Sequence, residues 1–350
     1  MRVLLLSAYA AHSHLHWQRT LQALFPEWHW EVLSLPPRHF SWRVRGNPLF
    51  WALARREVLE RDYDLLVATS MVDLATLRGL VPALARLPAL LYFHENQFDY
   101  PRRPQQQSLL EAQMVTLYGA LAADRVAFNS RYNRDSFLQG CDALLARLPD
   151  FVPPGVVAAI RRKAVVLPVP LGPGSDAGGP AHWPGLQGEL PRRPLRLVWS
   201  GRFEHDKGGD RLLQLLRELA SGGPDFELAV TGQRFRASPP AFAEIERAFG
   251  DRLVHFGYLD SRCAYRALLR GADIVVATAL HEFPGLAVLE AVAAGCLPAV
   301  PARLANPEIY PAALHYASHP EEPALEALAA SARIRRLAAA LAAGRADVPV

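Results

Sequence analysis

The sequence predicts an α/β protein made of two doubly wound units, each a parallel sheet with helices on both faces. Three observations carry that prediction. Short apolar runs alternate with helical patterns along nearly the whole chain, the order that βαβ crossovers impose. A dense cluster of glycine and proline divides the series near its middle. The length, 350 residues, exceeds one ordinary domain and suits two of roughly 150 residues.

In chain order, strands are expected at Val3–Leu6, Val32–Leu35, Leu65–Thr69, Leu90–Phe93, Val126–Phe128 and Val165–Leu167. A signal peptide would also begin with an arginine and an apolar run, but here the run is short and His12, Ser13 and His14 follow at once. A first buried strand is the better reading. From Pro168 to Pro194 the chain holds thirteen prolines and glycines, the composition of a connecting segment. Further strands are expected at Leu195–Ser200, Phe226–Thr231, Leu253–Phe256, Asp273–Ala277 and Leu297–Val300, with helices such as Asp210–Ala220 and Arg262–Gly271 between them. The expected division is a first domain at 1–170, a linker at 171–194, a second domain at 195–322 and a C-terminal helix at 323–350. The Ala- and Leu-rich tail carries Arg333, Arg335 and Arg336. It is a good helix by propensity, either packed on a domain or serving as a nucleic-acid arm.

Composition narrows the function classes. The chain is 51% hydrophobic and 21% charged, enough apolar surface for real cores and unlike disordered chains. No run approaches the ~18 apolar residues of a spanning helix. A net charge of +4 permits an anionic partner without requiring one. Of the 38 cations all but Lys163 and Lys207 are arginine, so a surviving lysine merits inspection. Cys141, Cys263 and Cys296 are far apart with no CxxC pair, which argues against a disulfide framework or structural zinc and fits a reducing compartment.

Ligands of doubly wound sheets bind beyond the carboxyl ends of the strands. After the first strand, no G-x-G-x-x-G appears, which weakens a dinucleotide-dependent oxidoreductase. His12, His14 and His16 stand there instead. They suit a polar active-site loop or plain solvated histidines better than a metal site, because no nearby acid or thiol completes a ligand set. His94, Glu95, Asn96 and Gln97 follow the fourth strand, a polar cluster that packing alone does not explain. Asn129 and Ser130 follow the fifth, where a helix cap and a site are equally good readings.

In the second half, Arg202 and Lys207 follow a strand in a glycine-containing loop that leads into a helix. Two cations there suit a diphosphate. Glu282 and Glu290, eight residues apart, span about two helical turns and can share one face. Glu290 lies in an otherwise apolar stretch, where a carboxylate needs a partner such as a ligand hydroxyl.

Together these features resemble the retaining GT-B glycosyltransferases of the glycogen-synthase-like group, GT4. The resemblance rests on Glu282 and Glu290 and on Arg202 with Lys207. A closer resemblance covers nearly the whole chain and is to the tRNA-queuosine α-mannosyltransferase family. It rests on Ser13-His14, Trp42-Arg43-Val44-Arg45, Tyr92 through Gln97, Phe128-Asn129-Ser130, Glu204 through Lys207, His281-Glu282-Phe283 and Pro307-Glu308-Ile309. Ala11-His12 stands where a glycine pair is expected, and Pro284 where many members carry Phe or Gly.

The resemblance implies two Rossmann-like domains facing across a cleft, and transfer of mannose from GDP-mannose to the cyclopentene-diol of queuosine in tRNA-Asp. It implies retention of configuration without a metal or cofactor, and a cytoplasmic setting. His94, Arg202, Lys207 and Glu282 would act in catalysis. Ser13, Arg202, Lys207, Phe283, Gly285, Leu286 and Glu290 would hold the donor. His14, Trp42, Arg43, Arg45, Glu95, Asn96, Gln97 and Asn129 would meet the acceptor, because Arg38, Arg43, Arg45, Arg55, Arg56 and Arg61 are interleaved with aromatics and face only Glu57 and Glu60 in that stretch. A GT-B transferase with a lipid or glycan acceptor is the alternative enzyme. A silent nucleotide-sugar or RNA-binding module is the alternative outside catalysis.

Overall fold

The computed structural model describes residues 1–99, 109–172, 178–235 and 238–344. Tyr100 and Pro101, Pro173 and Gly174 of the connecting segment, and the end of the tail beyond 344 lie outside the described residues. The chain divides into two compact units, Met1–Gly172 and Pro173–Val350.

The first unit runs β1 (Arg2–Ser7), α1 (His12–Leu24), β2 (His29–Ser34), α2 (Phe40–Ala54), α3 (Arg56–Leu59), β3 (Leu65–Thr69), α4 (Leu74–Leu80) and α5 (Pro82–Ala85). It continues with β4 (Ala89–Phe93), α6 (Leu110–Ala122), β5 (Arg125–Phe128), α7 (Arg131–Leu145), α8 (Val156–Arg161) and β6 (Ala164–Val166). Six parallel strands form one sheet in the order β2-β1-β3-β4-β5-β6. Strands covered on both faces read as unbroken apolar runs, and five of the six β1 residues are buried. Pro48 lies inside α2, where it cannot donate to Val44 four residues back. The Asn47 side chain replaces that bond, its Nδ2 donating to Val44 O at 2.9 Å and Arg43 O at 2.8 Å.

The second unit runs β7 (Leu195–Ser200), a 3₁₀ turn (His205–Lys207), α9 (Gly209–Gly222), β8 (Phe226–Thr231), α10 (Pro240–Ala248), β9 (Leu253–Gly257) and α11 (Arg262–Gly271). Then come β10 (Ile274–Val276), α12 (Leu286–Ala293), β11 (Leu297–Pro301), α13 (Asn306–Ile309), β12 (His315–Tyr316) and α14 (Pro323–Ala342). The parallel order is β12-β11-β10-β7-β8-β9, so the strand order reverses between β7 and β10. Ligands of such sheets bind at that reversal. The two loops that emerge there are those carrying Arg202–Lys207 and Thr278–Gly285. Alternation along β7 sends Leu195, Leu197 and Trp199 into one core and Val198 into the other.

One sequence expectation changes here, and one pair of alternatives is decided in favour of the packed helix. Residues 178–194 are not a solvated linker. Trp183 is buried with Val198, Val275 and Leu269, and its Nε1 donates to Glu227 at 2.7 Å. One indole outweighs the surrounding prolines and glycines in deciding where the segment goes. The tail arginines are also engaged: Arg333 donates to the carbonyls of His315 and Ala313, and Arg335 to that of Glu218. They fasten α14 to its own unit rather than forming a free basic arm. Among the described residues, no helix is long and apolar enough to cross a membrane.

Candidate active site

In the second unit, Lys207 ends the 3₁₀ turn that follows β7, and its ammonium is largely buried. Nζ donates to Glu282 Oε2 at 2.6 Å and to the His281 carbonyl at 3.3 Å, with Asp206 Oδ2 also at 3.3 Å. Burial alone pushes the ammonium pKa down, but Glu282 and Asp206 outweigh that and raise it. Arg202 stands near enough for its charge to oppose Lys207, and it pairs with Glu204 at 2.7 Å. The two cations thus come together as expected, but three carboxylates surround them.

Thr278, just past β10, fixes this arrangement. Its hydroxyl donates to the Lys207 carbonyl at 2.9 Å and accepts from Trp199 Nε1 at 2.9 Å. A Cβ at position 208 would lie 2.1 Å from the Thr278 carbonyl oxygen, so Gly208, at φ +71°, is required by close approach as well as by its backbone. Behind the loop, Arg303 donates to the carbonyls of Ala279 (2.9 Å) and Thr278 (3.3 Å) and to both oxygens of Glu326 (2.5 and 3.1 Å). Arg211 joins Glu326 from α9 at 3.2 Å. Sequence reasoning missed Thr278, Arg303 and Glu326. The strand-end rule that flagged Lys207 would have found the first two, since they follow β10 and β11.

A cavity opens here, with Ser200, Lys207, Thr278, Glu282, Phe283 and Gly285 in its wall. Phe283 is buried and meets the His281 ring edge-on. Gly285, at φ +63°, turns the chain into α12, and Leu286 is the first helical residue. Glu282 therefore precedes α12, and the eight-residue spacing does not place both carboxylates on one helical face. Glu290 is within the helix, outside that cavity wall. Its Oε1 accepts from Arg262 Nη2 at 2.9 Å, so a protein cation supplies the partner its burial demands.

In the first unit, α1 carries Ser13, exposed in its first turn, and His14, which is buried. His14 stacks on His94 with centroids 4.1 Å apart, and Trp17 and Tyr92 meet the His94 ring edge-on at 4.9 and 4.8 Å. His94 Nε2 has no hydrogen-bond partner among the described residues. Burial lowers the His14 pKa to about 4 against a weak opposing effect of the Tyr9 carbonyl. Burial, with His14 alongside, holds His94 well below the usual range. Both rings are neutral near pH 7 and act there as hydrogen-bonding groups rather than cations. His12 is exposed and His16 faces the Pro170 carbonyl at 3.3 Å, so the three alternate histidines diverge. Among the described residues no three His, Cys, Asp or Glu side chains gather as metal ligands.

The acceptor expectations need correction. Asn96, Gln97 and Asn129 are buried with their amides engaged inside the unit. Asn96 Nδ2 donates to Asn133 Oδ1 (2.9 Å) and Ser136 Oγ (3.0 Å), while its Oδ1 accepts from the Phe98 and Asp99 backbone. Asn129 Nδ2 donates to the His94 carbonyl at 2.6 Å, and Gln97 Nε2 faces Met71 Sδ. His14 is likewise inside, against His94. These polar residues hold the 94–99 loop on the start of α7, because buried amides must find partners within the fold. Glu95 alone of residues 94–97 stays half-buried.

On α2, Trp42 is 57% exposed. Arg43 Nε donates to the Pro36 carbonyl at 3.3 Å, and Arg45 bonds Asp73 and Glu111. Arg56 pairs with Glu60 and Arg61 with Glu31. Carboxylates distant in sequence thus neutralise part of the basic run.

Comparison with known proteins agrees with this architecture. Residues 2–171 match the family described as tRNA-queuosine alpha-mannosyltransferase N-terminal, and residues 187–313 match glycosyl transferases group 1. The chain is 37% identical over 287 residues to the tRNA-queuosine alpha-mannosyltransferase of Drosophila melanogaster, covering 80% of this chain and 74% of that protein. A GDP-mannose-dependent alpha-(1-6)-phosphatidylinositol dimannoside mannosyltransferase of Mycobacterium tuberculosis is 37% identical over 110 residues, 31% of this chain and 27% of its own. Among solved structures, Anabaena HepE with UDP superposes at TM-score 0.58 with 16% identity, over 99% of this chain and 96% of that one. The N-terminal domain of Candida albicans trehalose-6-phosphate phosphatase superposes at 0.64 with 13% identity, over 98% and 92%. These likenesses show a GT-B fold, two Rossmann-like units with parallel sheets. With its fold, its strand-reversal site and its relatives in agreement, the chain is a glycosyltransferase and belongs to the tRNA-queuosine alpha-mannosyltransferase family.

Proposed function

We propose that the protein moves a mannosyl group from GDP-mannose to the cyclopentene-diol of queuosine in a tRNA of the cytoplasm. The observation that carries the donor half is the Lys207–Glu282 pair at the strand reversal, beside the Gly285 turn into α12. A diphosphate brought to that point draws Lys207 and Arg202 to itself, which releases Glu282 to accept from a sugar hydroxyl. Backbone N–H groups in the first turn of α12, around Gly285 and Leu286, add positive potential. Phe283 walls the cavity, and Glu290 takes the ribose hydroxyls.

The C1–phosphate oxygen bond breaks with its electron pair passing to the diphosphate, whose charge these cations stabilise. The acceptor oxygen bonds to C1 on the same face, and its proton goes to a donor phosphate oxygen. Configuration is retained. Cations, helix terminus and substrate phosphate supply every charge and proton the step needs, so the reading calls for no metal or cofactor.

The acceptor half rests on family membership and on Trp42, Arg43 and Glu95 of the first unit. One observation favours a lipid-surface acceptor instead: Trp42, Leu49, Phe50 and Leu53 form an exposed apolar stripe on α2. Incubating the protein with queuosine-containing tRNA and a panel of GDP- and UDP-sugars, then reading nucleoside masses, separates these readings. A hexose gained only from GDP-mannose is the expected result. Gain from a UDP-sugar moves the donor assignment, and turnover on mannosyl-lipid with none on tRNA overturns the acceptor.

A further inference from the structure

We infer that Arg262, at the start of α11, is a positioning residue that holds Glu290 in place for the nucleotide ribose. The inference rests on the reading of Glu290 as the ribose-binding group. Glu290 is the one charged residue of α12, whose sequence is otherwise LAVL and AVA, and its side chain is 12% exposed. A carboxylate so placed needs a fixed partner. Among the described residues the sole hydrogen bond to it comes from Arg262 Nη2, at 2.9 Å to Oε1. Oε2 accepts none and keeps its lone pairs for a ligand.

The geometry favours a holder over a blocker. A guanidinium that closed the site would take both oxygens in the bidentate manner arginine prefers. Arg262 takes one, from a position 54% exposed. One helical turn further on the same face, the half-buried Tyr265 lies near enough to Glu290 for the carboxylate to help raise its pKa, desolvation being the larger cause. The Tyr265 hydroxyl meets Ser200 Oγ at 3.0 Å, and Ser200 belongs to the wall of the Lys207–Glu282 cavity. Helix α11 thus reaches Glu290 through Arg262 and the donor cavity through Tyr265. With the carboxylate already oriented, less side-chain freedom is lost when a donor binds.

The test is a binding cycle on the full chain by calorimetry, with GDP and 2′-deoxy-GDP as probes and UDP with 2′-deoxy-UDP run in parallel, since the ribose is common to both bases. Arg262→Gln should weaken binding of the ribonucleotide roughly five- to tenfold, the scale of one ordinary hydrogen bond, in a folded protein whose melting temperature falls modestly because Glu290 loses its cation. It should weaken the 2′-deoxynucleotide much less, because coupled groups give non-additive losses. Arg262→Lys should restore part of the affinity. Equal losses for ribo- and deoxynucleotide, or tighter binding of GDP by Arg262→Gln, overturn the proposal. Glu290→Gln separates the two levels: if it leaves ribonucleotide binding unchanged, the ribose reading falls and the proposal with it. If it weakens binding while Arg262→Gln does not, only the role of Arg262 falls.

Discussion

Lys207 Nζ and Glu282 Oε2 stand 2.6 Å apart, joining the loop after β7 to the loop after β10 across the strand reversal of the second unit. The pair presents its charges already matched, so an incoming diphosphate exchanges one partner for another. Replacing Lys207 by Ala removes the cation and leaves Glu282 and Asp206 facing each other.

Lys207→Ala should therefore lower transfer by at least about a hundredfold, the usual scale for losing one preorganised contact to a leaving group. Glu282→Gln should also impair transfer, and the double variant should be little worse than Lys207→Ala alone, because the two side chains act as one unit. Single-turnover rates with saturating donor check this, and near-normal turnover by Lys207→Ala would remove the lysine from the leaving-group role.

The His14–His94 stack sets a pH dependence of stability. Both rings have folded pKa values below the usual 6.5, His14 at about 4 and His94 held well below the usual value by burial. Above about pH 6.5 neither the folded nor the unfolded chain binds protons at these rings, so they add no slope. As pH falls, the unfolded chain takes up protons that the folded one refuses, and stability drops until His14 itself protonates near pH 4. Melting temperatures from about pH 7 to about pH 4 should fall less steeply for His14→Phe, which keeps a stacking ring without a titrating site. An unchanged slope would show that His14 contributes nothing to it.

Asn129 distinguishes a structural amide from an acceptor contact. It donates to the His94 carbonyl and accepts from Asn133 Nδ2 at 2.9 Å. Asn129→Ala strands both groups in the interior, a loss of roughly 2–6 kcal/mol at 1–3 kcal/mol for each unsatisfied group. Urea unfolding should register it. An Asn129→Ala protein with full stability and weakened tRNA binding would restore the acceptor role.

The alternation of apolar runs made both sheets legible in the sequence, since buried parallel strands have no polar face to confuse the pattern. The two-residue β12 at His315–Tyr316 is too short to leave such a signal. At the site, Lys207, Glu282 and Gly285 were legible because strand ends and rare residue types mark them. What failed was telling exposed polar residues from buried ones. Asn96, Gln97 and Asn129 look like surface ligands in one dimension, and only the fold shows their amides taken up inside the unit, Asn96 and Asn129 by Asn133 and Gln97 by Met71. Arg45 fails likewise, because Asp73 and Glu111 that neutralise it lie far along the chain.

The buried ion cluster behind the site offers a test of support at a distance. Glu326 is 2% exposed and binds Arg303 and Arg211, and Arg303 in turn holds the Thr278 and Ala279 carbonyls. Glu326→Ala leaves two guanidinium groups inside without an anion, a loss of about 3–5 kcal/mol. The expected outcome is a lower denaturation midpoint together with weaker GDP binding. Intact donor affinity in the folded variant would show that the Thr278 loop keeps its shape without this cluster.

The acceptor surface is where sequence and structure differ most, and α2 separates its candidates. Trp42 lies on the backbone at Gly46, where a Cβ would come within 2.5 Å of the ring, and it turns more than half its surface outward. Arg43 is held only by the Pro36 carbonyl and keeps its charge unpaired by any carboxylate among the described residues. Arg45, by contrast, braces Asp73, which is itself the cap of α4 through Thr76 N. Arg43→Ala should then raise the tRNA KM and reduce the salt slope of binding by about one counterion, and Trp42→Ala should raise KM with the slope unchanged, because stacking releases no counterion. Arg45→Ala should chiefly lower stability by leaving the buried Asp73 carboxylate unmatched, while the salt slope stays as it was. Binding isotherms at several salt concentrations decide the matter. A flattened slope in Arg45→Ala would mean that tRNA phosphates win this guanidinium from Asp73 and Glu111, and that the resting ion pair is released on binding.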